Sequence, residues 1–372
     1  MFLRAEKKVL LDTMAPCLCA VTSRSANAAL ACLQVKADKE EKSVTLTAFD
    51  TTKGVKTSLE AEILEGGCVL LDAVKLSSMV RALPDGEITI SSDANFVTTI
   101  SAGSAKFEIL GMDGDLFPSM PMLSGDKKFV MEQGTLKKML QQVIFACAAI
   151  DLKPILTGVL FETNGEKLRL CGCDGYRIAL REENCIRGLT LDSRFVVPAK
   201  SLQEVIRLLS DDDTSIRIEL ARRHIIFAFD SFYFFSRYVD GDYIDYAKSL
   251  PKEFGTHVKV DLSEAIGCFE RCALLIDERA KSPIRLKVTP DGLNIQCTTA
   301  NGKIEEEIFC PVEGEEMLVG FNNKFLLEAL RGAAACGEKQ VMMELNTPFS
   351  GMAITSPENS AFYYMVVPMR LN

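Results

Sequence analysis

The 372-residue sequence contains no uninterrupted apolar run of the ~18 residues that a membrane helix requires, so no membrane span is expected. Its first residues, Met1-Phe2-Leu3-Arg4, lead at once to Glu6, Lys7 and Lys8. They lack the apolar core of a secretory signal, and a cytosolic location is expected. Histidine is scarce, limited to His224 and His257, and no Cys-x-x-Cys pair occurs. The thirteen cysteines are odd in number and follow no disulfide framework. In a reducing compartment they are expected to act as small apolar residues. Two Cys-x-Cys pairs, Cys17/Cys19 and Cys171/Cys173, invite a metal reading, as Asp211-Asp212-Asp213 does for a divalent ion. The second pair alternates with Leu170 and Gly172 as a strand does, so no metal site is expected there.

Reactive motifs are missing too. No Gly-x-x-x-x-Gly-Lys-Ser/Thr loop occurs, and no Gly-x-Gly-x-x-Gly lies between a strand and a helix, which argues against nucleotide chemistry. Neither histidine adjoins a Gly-x-Ser-x-Gly nucleophile elbow. His224 reads as a strand start and His257 as part of a connecting stretch. Asp211-Asp212-Asp213 follows a helix and precedes a strand, and reads as a solvated turn. No catalytic centre and no cofactor is expected. The net charge of −9 does not suggest a nucleic-acid binder. What is plentiful is core: 48% hydrophobic and 25% charged residues over a length suited to two or three domains.

Repetition organises that length. From Phe129 the middle third reads as a short strand, then a helix with apolar Leu136, Leu140, Val143, Ile144 and Cys147 on one face. Strands follow at Ile155–Glu162, Lys167–Cys173 and Tyr176–Arg181. A further strand, Phe195–Val197, leads to Pro198 in the first turn of a helix carrying Leu202, Val205, Ile206 and Leu209. Ser215–Leu220, His224–Phe229 and Phe232–Tyr238 complete the unit. The first third has a helix at Lys7–Met14, strands near Ala29–Val35, Ser43–Phe49, Gly54–Leu59 and Cys68–Leu71, and an Asp72 cap on a helix with Leu76, Met79, Val80 and Leu83. The last third has helices holding Leu262, Ile266 and Phe269, and, after an Asn322 cap, Leu326, Ala329 and Leu330. Unit ends correspond as well, in Asp113-Gly114-Asp115-Leu116-Phe117-Pro118 and Asp240-Gly241-Asp242-Tyr243-Ile244-Asp245-Tyr246. A period of roughly 125 residues is a whole domain, far above a solenoid repeat. The expectation is an α+β fold of three repeated domains, 1–125, 126–253 and 254–372, each with two helices packed on antiparallel sheets.

Opposite their apolar faces the helices carry Lys7 and Lys8, Lys75 and Arg81, Lys137 and Lys138, Lys200 and Arg207, Arg271, and Lys324 and Arg331. Acidic Glu204 and Glu328 share those helices, so the pattern alone is compatible with an ordinary solvated face.

At Cys171-Gly-Cys-Asp-Gly-Tyr-Arg-Ile-Ala179 and Val366-Val-Pro-Met-Arg-Leu371 the chain resembles the bacterial DNA polymerase sliding clamps, the beta-subunit family of DNA polymerase III. Leu83-Pro84-Asp85-Gly86, Val239-Asp240-Gly241, the total length and the three repeats extend the resemblance over essentially the whole chain. It implies three DNA-clamp domains and a head-to-tail homodimer closing a ring around duplex DNA, non-catalytic, helices inward and sheets outward. Basic side chains would then face phosphates without reading base sequence. A closed ring needs no tight contact, which reconciles DNA binding with the acidic total. Implied partners are double-stranded DNA, the replicative polymerase, the clamp loader, and repair polymerases and ligase that dock through short linear peptides.

Carried over from the family, the peptide site comprises Leu156, Cys173, Gly175, Tyr176, Arg177, Ile178, Ile244, Lys248, Ser249, Phe349, Gly351, Met365, Val366, Val367, Pro368, Met369 and Arg370. Apolar walls would take peptide anchors, and Arg177 and Arg370 would orient polar groups. The family commonly has His at 176, Pro at 244 and Arg at 248, and Met before the terminal proline where this chain has Val367. The DNA-facing set is Arg24, Lys75, Arg81, Lys137, Lys138, Lys200, Arg207, Arg271, Lys324 and Arg331. Phe107 is expected to meet Leu274 and Leu275 of a second copy, as a heterologous ring contact requires. The competing readings are an enzyme or small-molecule binder on the same scaffold, which would need convergent ionisable groups, and a protein scaffold that never loads on DNA.

Overall fold

The computed structural model describes residues 1–22, 26–120, 125–150, 153–188, 192–276, 282–358 and 361–371. Six α-helices are present among them: α1 (Lys7–Met14), α2 (Ala73–Ala82), α3 (Gln133–Gln141), α4 (Ala199–Leu208), α5 (Leu262–Ala273) and α6 (Asn323–Ala335). They fall two to each sequence repeat and pack in pairs, α1 with α2, α3 with α4 and α5 with α6. None is long and apolar enough to cross a membrane.

Helix starts follow from capping chemistry. Asp72 Oδ1 accepts the Lys75 N–H at 2.8 Å, and Asn322 Oδ1 accepts that of Lys324 at 3.0 Å. Asp261 Oδ1 takes two orphan amides at the head of α5, from Ser263 (2.9 Å) and Glu264 (3.1 Å). Each helix then buries one apolar stripe, such as Leu202 and Val205 of α4 or Leu326 and Leu330 of α6.

The strands form four antiparallel sheets in two compact units. The first unit comprises Met1–Met131 and Ser215–Tyr238. One of its sheets has five strands, running Glu62–Glu65, Phe2–Glu6, Glu87–Ser92, Val97–Ala102, Ala105–Leu110. The other has nine and contains a pairing that crosses the sequence repeats: Lys53–Glu60 beside Phe232–Arg237, with Gly54 opposite Phe235. The second unit comprises Glu132–Thr214 and Val239–Asn372. Its nine-stranded sheet contains the equivalent junction, Arg177–Asn184 beside Phe362–Val366. Its four-stranded sheet runs Gly302–Phe309, Gly292–Thr299, Ile284–Thr289, Met317–Phe321. The two units differ from three equal repeats because the closing hairpins of the middle repeat join the sheet begun by the first.

Several local expectations shift. Strand Ala29–Val35 begins only at Cys32, after a 3₁₀ turn at Ala28–Ala31. Pro198 ends a strand and precedes α4 instead of opening it. The periodic run Leu136–Cys147 is not one helix: α3 stops at Gln141 and a separate 3₁₀ turn covers Ile144–Ala146. Gly172 supplies a reason, because a Cβ there would stand 2.3 Å from the Val143 carbonyl oxygen. The missing side chain lets the turn lie on the sheet. His257 lies inside strand Thr256–Asp261, its Nδ1 3.4 Å from Glu344. Asp211–Asp213 is a turn, in which Asp212 accepts the Ser210 hydroxyl at 2.5 Å and the Thr214 N–H at 3.0 Å.

Replacing Asp261 with Ala strands two amides at the start of α5. We expect a loss of about 1 kcal/mol in urea unfolding, and an unchanged midpoint would remove the cap from the account of α5.

Candidate functional site

The turn between Lys167–Cys173 and Arg177–Asn184 is built by one carboxylate. Asp174 Oδ1 accepts the N–H groups of Tyr176 (2.9 Å) and Arg177 (3.0 Å), a side-chain mimic of a backbone turn. Gly175 sits at φ 88°, a conformation that favours glycine. The turn pushes Tyr176 outward, 64% exposed, and folds Arg177 back to 7% exposure.

Arg177 is therefore a strut and not a hook for peptide groups. Its Nε donates to Asp174 Oδ2 at 3.0 Å, one Nη to the Glu328 carboxylate of α6, and the other to the Phe145 carbonyl. Its guanidinium also lies 4.3 Å from the Phe325 ring centroid and 5.5 Å from that of Phe145. The expected orienting role of Arg177 is withdrawn, since its donors are turned inward. Phe145, Phe325 and Glu328 are functional neighbours that sequence reasoning missed. Each lies far from Arg177 along the chain, and no local spacing signals the meeting.

An apolar cluster lies beside this turn. Leu156, Cys173, Ile178 and Met365 pack in one buried cluster with Cys171, Tyr243 and Tyr246, and half-buried Ile244 rests against it. Val366 is buried in the strand that pairs with Arg177–Asn184. Gly351 is needed for the fit, because a Cβ there would stand 2.8 Å from Met365 Sδ. The rim is open and apolar: Phe349 is 84% exposed and Val367 36%. Val367 N–H donates to the Tyr176 carbonyl (2.9 Å) and Met369 N–H to that of Gly320 (2.8 Å). These two bonds hold the segment Val367–Met369, with half-buried Pro368, between Tyr176 and Gly320. Arg370, Lys248 and Ser249 are exposed, and Lys248 Nζ pairs with Asp245 Oδ2 at 2.8 Å.

Tyr243 and Tyr246 fix the segment carrying Ile244 and Lys248. Tyr243 donates to the Cys171 carbonyl at 3.3 Å, and Tyr246 to the Glu162 carboxylate. Burial, then the adjacent Glu162, pushes the Tyr246 phenol up to about 12. Burial likewise raises the Cys147 thiol to about 12 and the Cys171 thiol well above its ordinary range. These thiols stay protonated and act as packing, not as nucleophiles. Among the described residues no group of three His, Cys, Asp or Glu side chains is placed to hold a metal ion.

The basic helical residues divide by partner. Lys75, Arg81, Lys138 and Lys200 are exposed and make no ion pair among the described residues, and Lys324 is exposed as well. Lys137 is tied to Asp211 (2.8 Å), Arg207 to Glu204 (3.0 Å), Arg331 to Glu270 (2.7 Å) and Arg271 to Glu306. Arg24 lies outside the described residues. Phe107 is half-buried on the edge strand of the five-stranded sheet, while Leu274 is exposed and Leu275 half-buried just after α5.

Replacing Arg177 with Ala leaves two carboxylates and a carbonyl without their donor. We expect a loss of roughly 3 kcal/mol in chemical unfolding. A loss below about 1 kcal/mol would place the side chain outside the supporting structure.

Three models of the DNA polymerase III beta subunit match in succession: the N-terminal domain at residues 1–121, the central domain at 130–245 and the C-terminal domain at 247–370. The beta sliding clamp of Halalkalibacterium halodurans is 32% identical over 84% of this chain and 85% of its own. That of Bacillus subtilis is 26% identical over 98% of both. Among solved structures, a putative DNA polymerase III beta subunit from Eubacterium rectale superposes with a TM-score of 0.94 at 32% identity, covering 99% of each chain. The Bacillus subtilis sliding clamp does so with 0.95 at 25% identity over the whole of both. With all three domain models matched in order, the chain belongs to the DNA polymerase III beta-subunit family of sliding clamps.

Proposed function

We propose that this chain is a non-catalytic DNA sliding clamp that tethers a polymerase to its template for processive synthesis. The observation that supports this most directly is the end-to-end match of sequence and fold to clamps. Three domains, 1–125, 126–253 and 254–372, follow the sequence repeats. The protein acts in the cytoplasm and needs no cofactor.

Duplex DNA is contacted through phosphates by Lys75, Arg81, Lys138 and Lys200, joined by Arg24 and Lys324. Lys137, Arg207, Arg271 and Arg331 contribute less, since a carboxylate already screens each one. A second copy adds head to tail. Strands Ala105–Leu110 and Gly302–Phe309 each end a sheet with one edge unpaired, and such edges are templates for another chain. Phe107 meets Leu274 and Leu275 there. The groove at Tyr176, Ile244, Phe349 and Val367 takes short peptides with apolar anchors. Polymerase, clamp loader, repair polymerases and ligase are its users, and Arg370 supplies the remaining charge.

Loading onto nicked circular DNA, followed by linearisation, tests the tether. The loaded protein is expected to leave the linear form and stay on the circle, and equal retention on both would refute topological binding. In binding measured against salt, replacing Lys75, Arg81, Lys138 and Lys200 by Ala should lower the slope of log K by about 0.9 for each phosphate no longer neutralised. An unchanged slope removes these four from the DNA surface. For the groove, a fluorescein-labelled peptide with adjacent Leu and Phe anchors should bind the wild type, and Val367→Asp at the exposed rim should abolish the signal with melting preserved.

A further inference from the structure

The groove has a twin elsewhere on the chain. In the first unit, Asp50 Oδ1 accepts the N–H groups of Thr52 (2.9 Å) and Lys53 (2.8 Å), as Asp174 does for Tyr176 and Arg177. Thr51 takes φ 76° where Gly175 takes 88°. Lys53 pairs with Asp50 at 3.9 Å, as Arg177 does with Asp174 at 3.0 Å. Arg237 N–H donates to the Thr52 carbonyl at 2.8 Å, the counterpart of Val367 to Tyr176 at 2.9 Å. Strand register completes the match: Phe235 lies opposite Gly54 as Met365 lies opposite Ile178. The same turn, the same strand junction and the same returning hydrogen bond occur twice.

The side chains differ where a ligand would enter. Phe235 is fully buried and fills the space over Gly54, where a Cβ would stand 2.4 Å from the ring. Phe49, which replaces Cys173, packs against it with ring centroids 5.7 Å apart, and His224 meets its edge at 6.0 Å. Half-buried Phe117 and Met120 cover the same cluster. At the rim, Thr52 and Arg237 stand where the open groove has Tyr176 and Val367. The backbone of a peptide site is thus present, its floor is occupied by an aromatic ring, and its rim is polar.

We infer that Phe235, seated over Gly54 and backed by Arg237 at the rim, limits each chain to one peptide site by closing the counterpart at the first junction. The inference rests on the reading of the second junction as a peptide groove. It makes two residues remote from that groove the determinants of how many partners a chain can hold.

Titration calorimetry of the full-length protein with the Leu-Phe peptide tests it, with melting as the check on folding. Wild type should bind one peptide per chain. The pair Phe235→Met and Arg237→Val installs the open junction's own residues and should raise the stoichiometry to two, the new site weaker by about tenfold. A folded pair that still binds one peptide, or a wild type that binds two, overturns the inference. Should the pair fail to fold, the converse transplant decides: Ile178→Gly with Met365→Phe should cost about tenfold or more in affinity in a protein that still melts cooperatively. Retained affinity would refute closure by the aromatic ring. A wild type that binds no peptide refutes the groove itself, and the inference falls with it.

Discussion

Hydrogen bonding between strands from different repeats is the constraint on which the rest of the structure depends. Lys53–Glu60 pairs with Phe232–Arg237, and Arg177–Asn184 pairs with Phe362–Val366. Neither pair could form from one repeat alone, and each continues a sheet through the point where a flexible linker would otherwise stand. A backbone ladder leaves few unpaired amides at such a joint, so a repeat cannot pivot without breaking several bonds at once. The candidate site is a by-product of this joinery. Its two sides, the Asp174 turn and the segment Val367–Met369, are the ends of the strands that make the joint.

Side-chain chemistry reinforces the joint at one place. Arg177 ties its own turn to the Phe145 carbonyl and to Glu328 of α6, while two aromatic rings cover its guanidinium. A buried cation is costly unless its hydrogen bonds are satisfied, and all three partners are required to hold it. The outcome is a stiff wall behind Tyr176.

Much of this architecture could be read without coordinates, because it rests on local rules. The stripe at Lys7–Met14, the caps at Asp72 and Asn322, and the alternation in Lys167–Cys173 each report a neighbourhood of a few residues. The apolar members of the groove were nameable only through family resemblance, since Leu156, Cys173 and Met365 look like ordinary core in isolation. Legibility ended where distant segments decide the result. The period through Leu136–Cys147 reads as one helix, yet the absence of a side chain at Gly172 lets the chain turn early. The arginine of the Asp-Gly-x-Arg segment looks like a binding residue, yet Phe145 and Glu328, distant in sequence, join Asp174 in holding it. The duplicated turns at Asp50 and Asp174 share an aspartate and a cation, but Thr51-Thr52 and Gly175-Tyr176 hide the likeness until the bonds are compared.

Joints made of main-chain ladders have an evolutionary consequence. A peptide group is the same for nearly every residue type, so substitutions can accumulate along the paired strands without moving them. Relatives only 25% and 32% identical to this chain keep TM-scores of 0.95 and 0.94. Shape is thus largely independent of the side chains that the strands carry. A lineage can exchange exposed side chains such as Tyr176 or Lys248 while the frame that presents them drifts hardly at all.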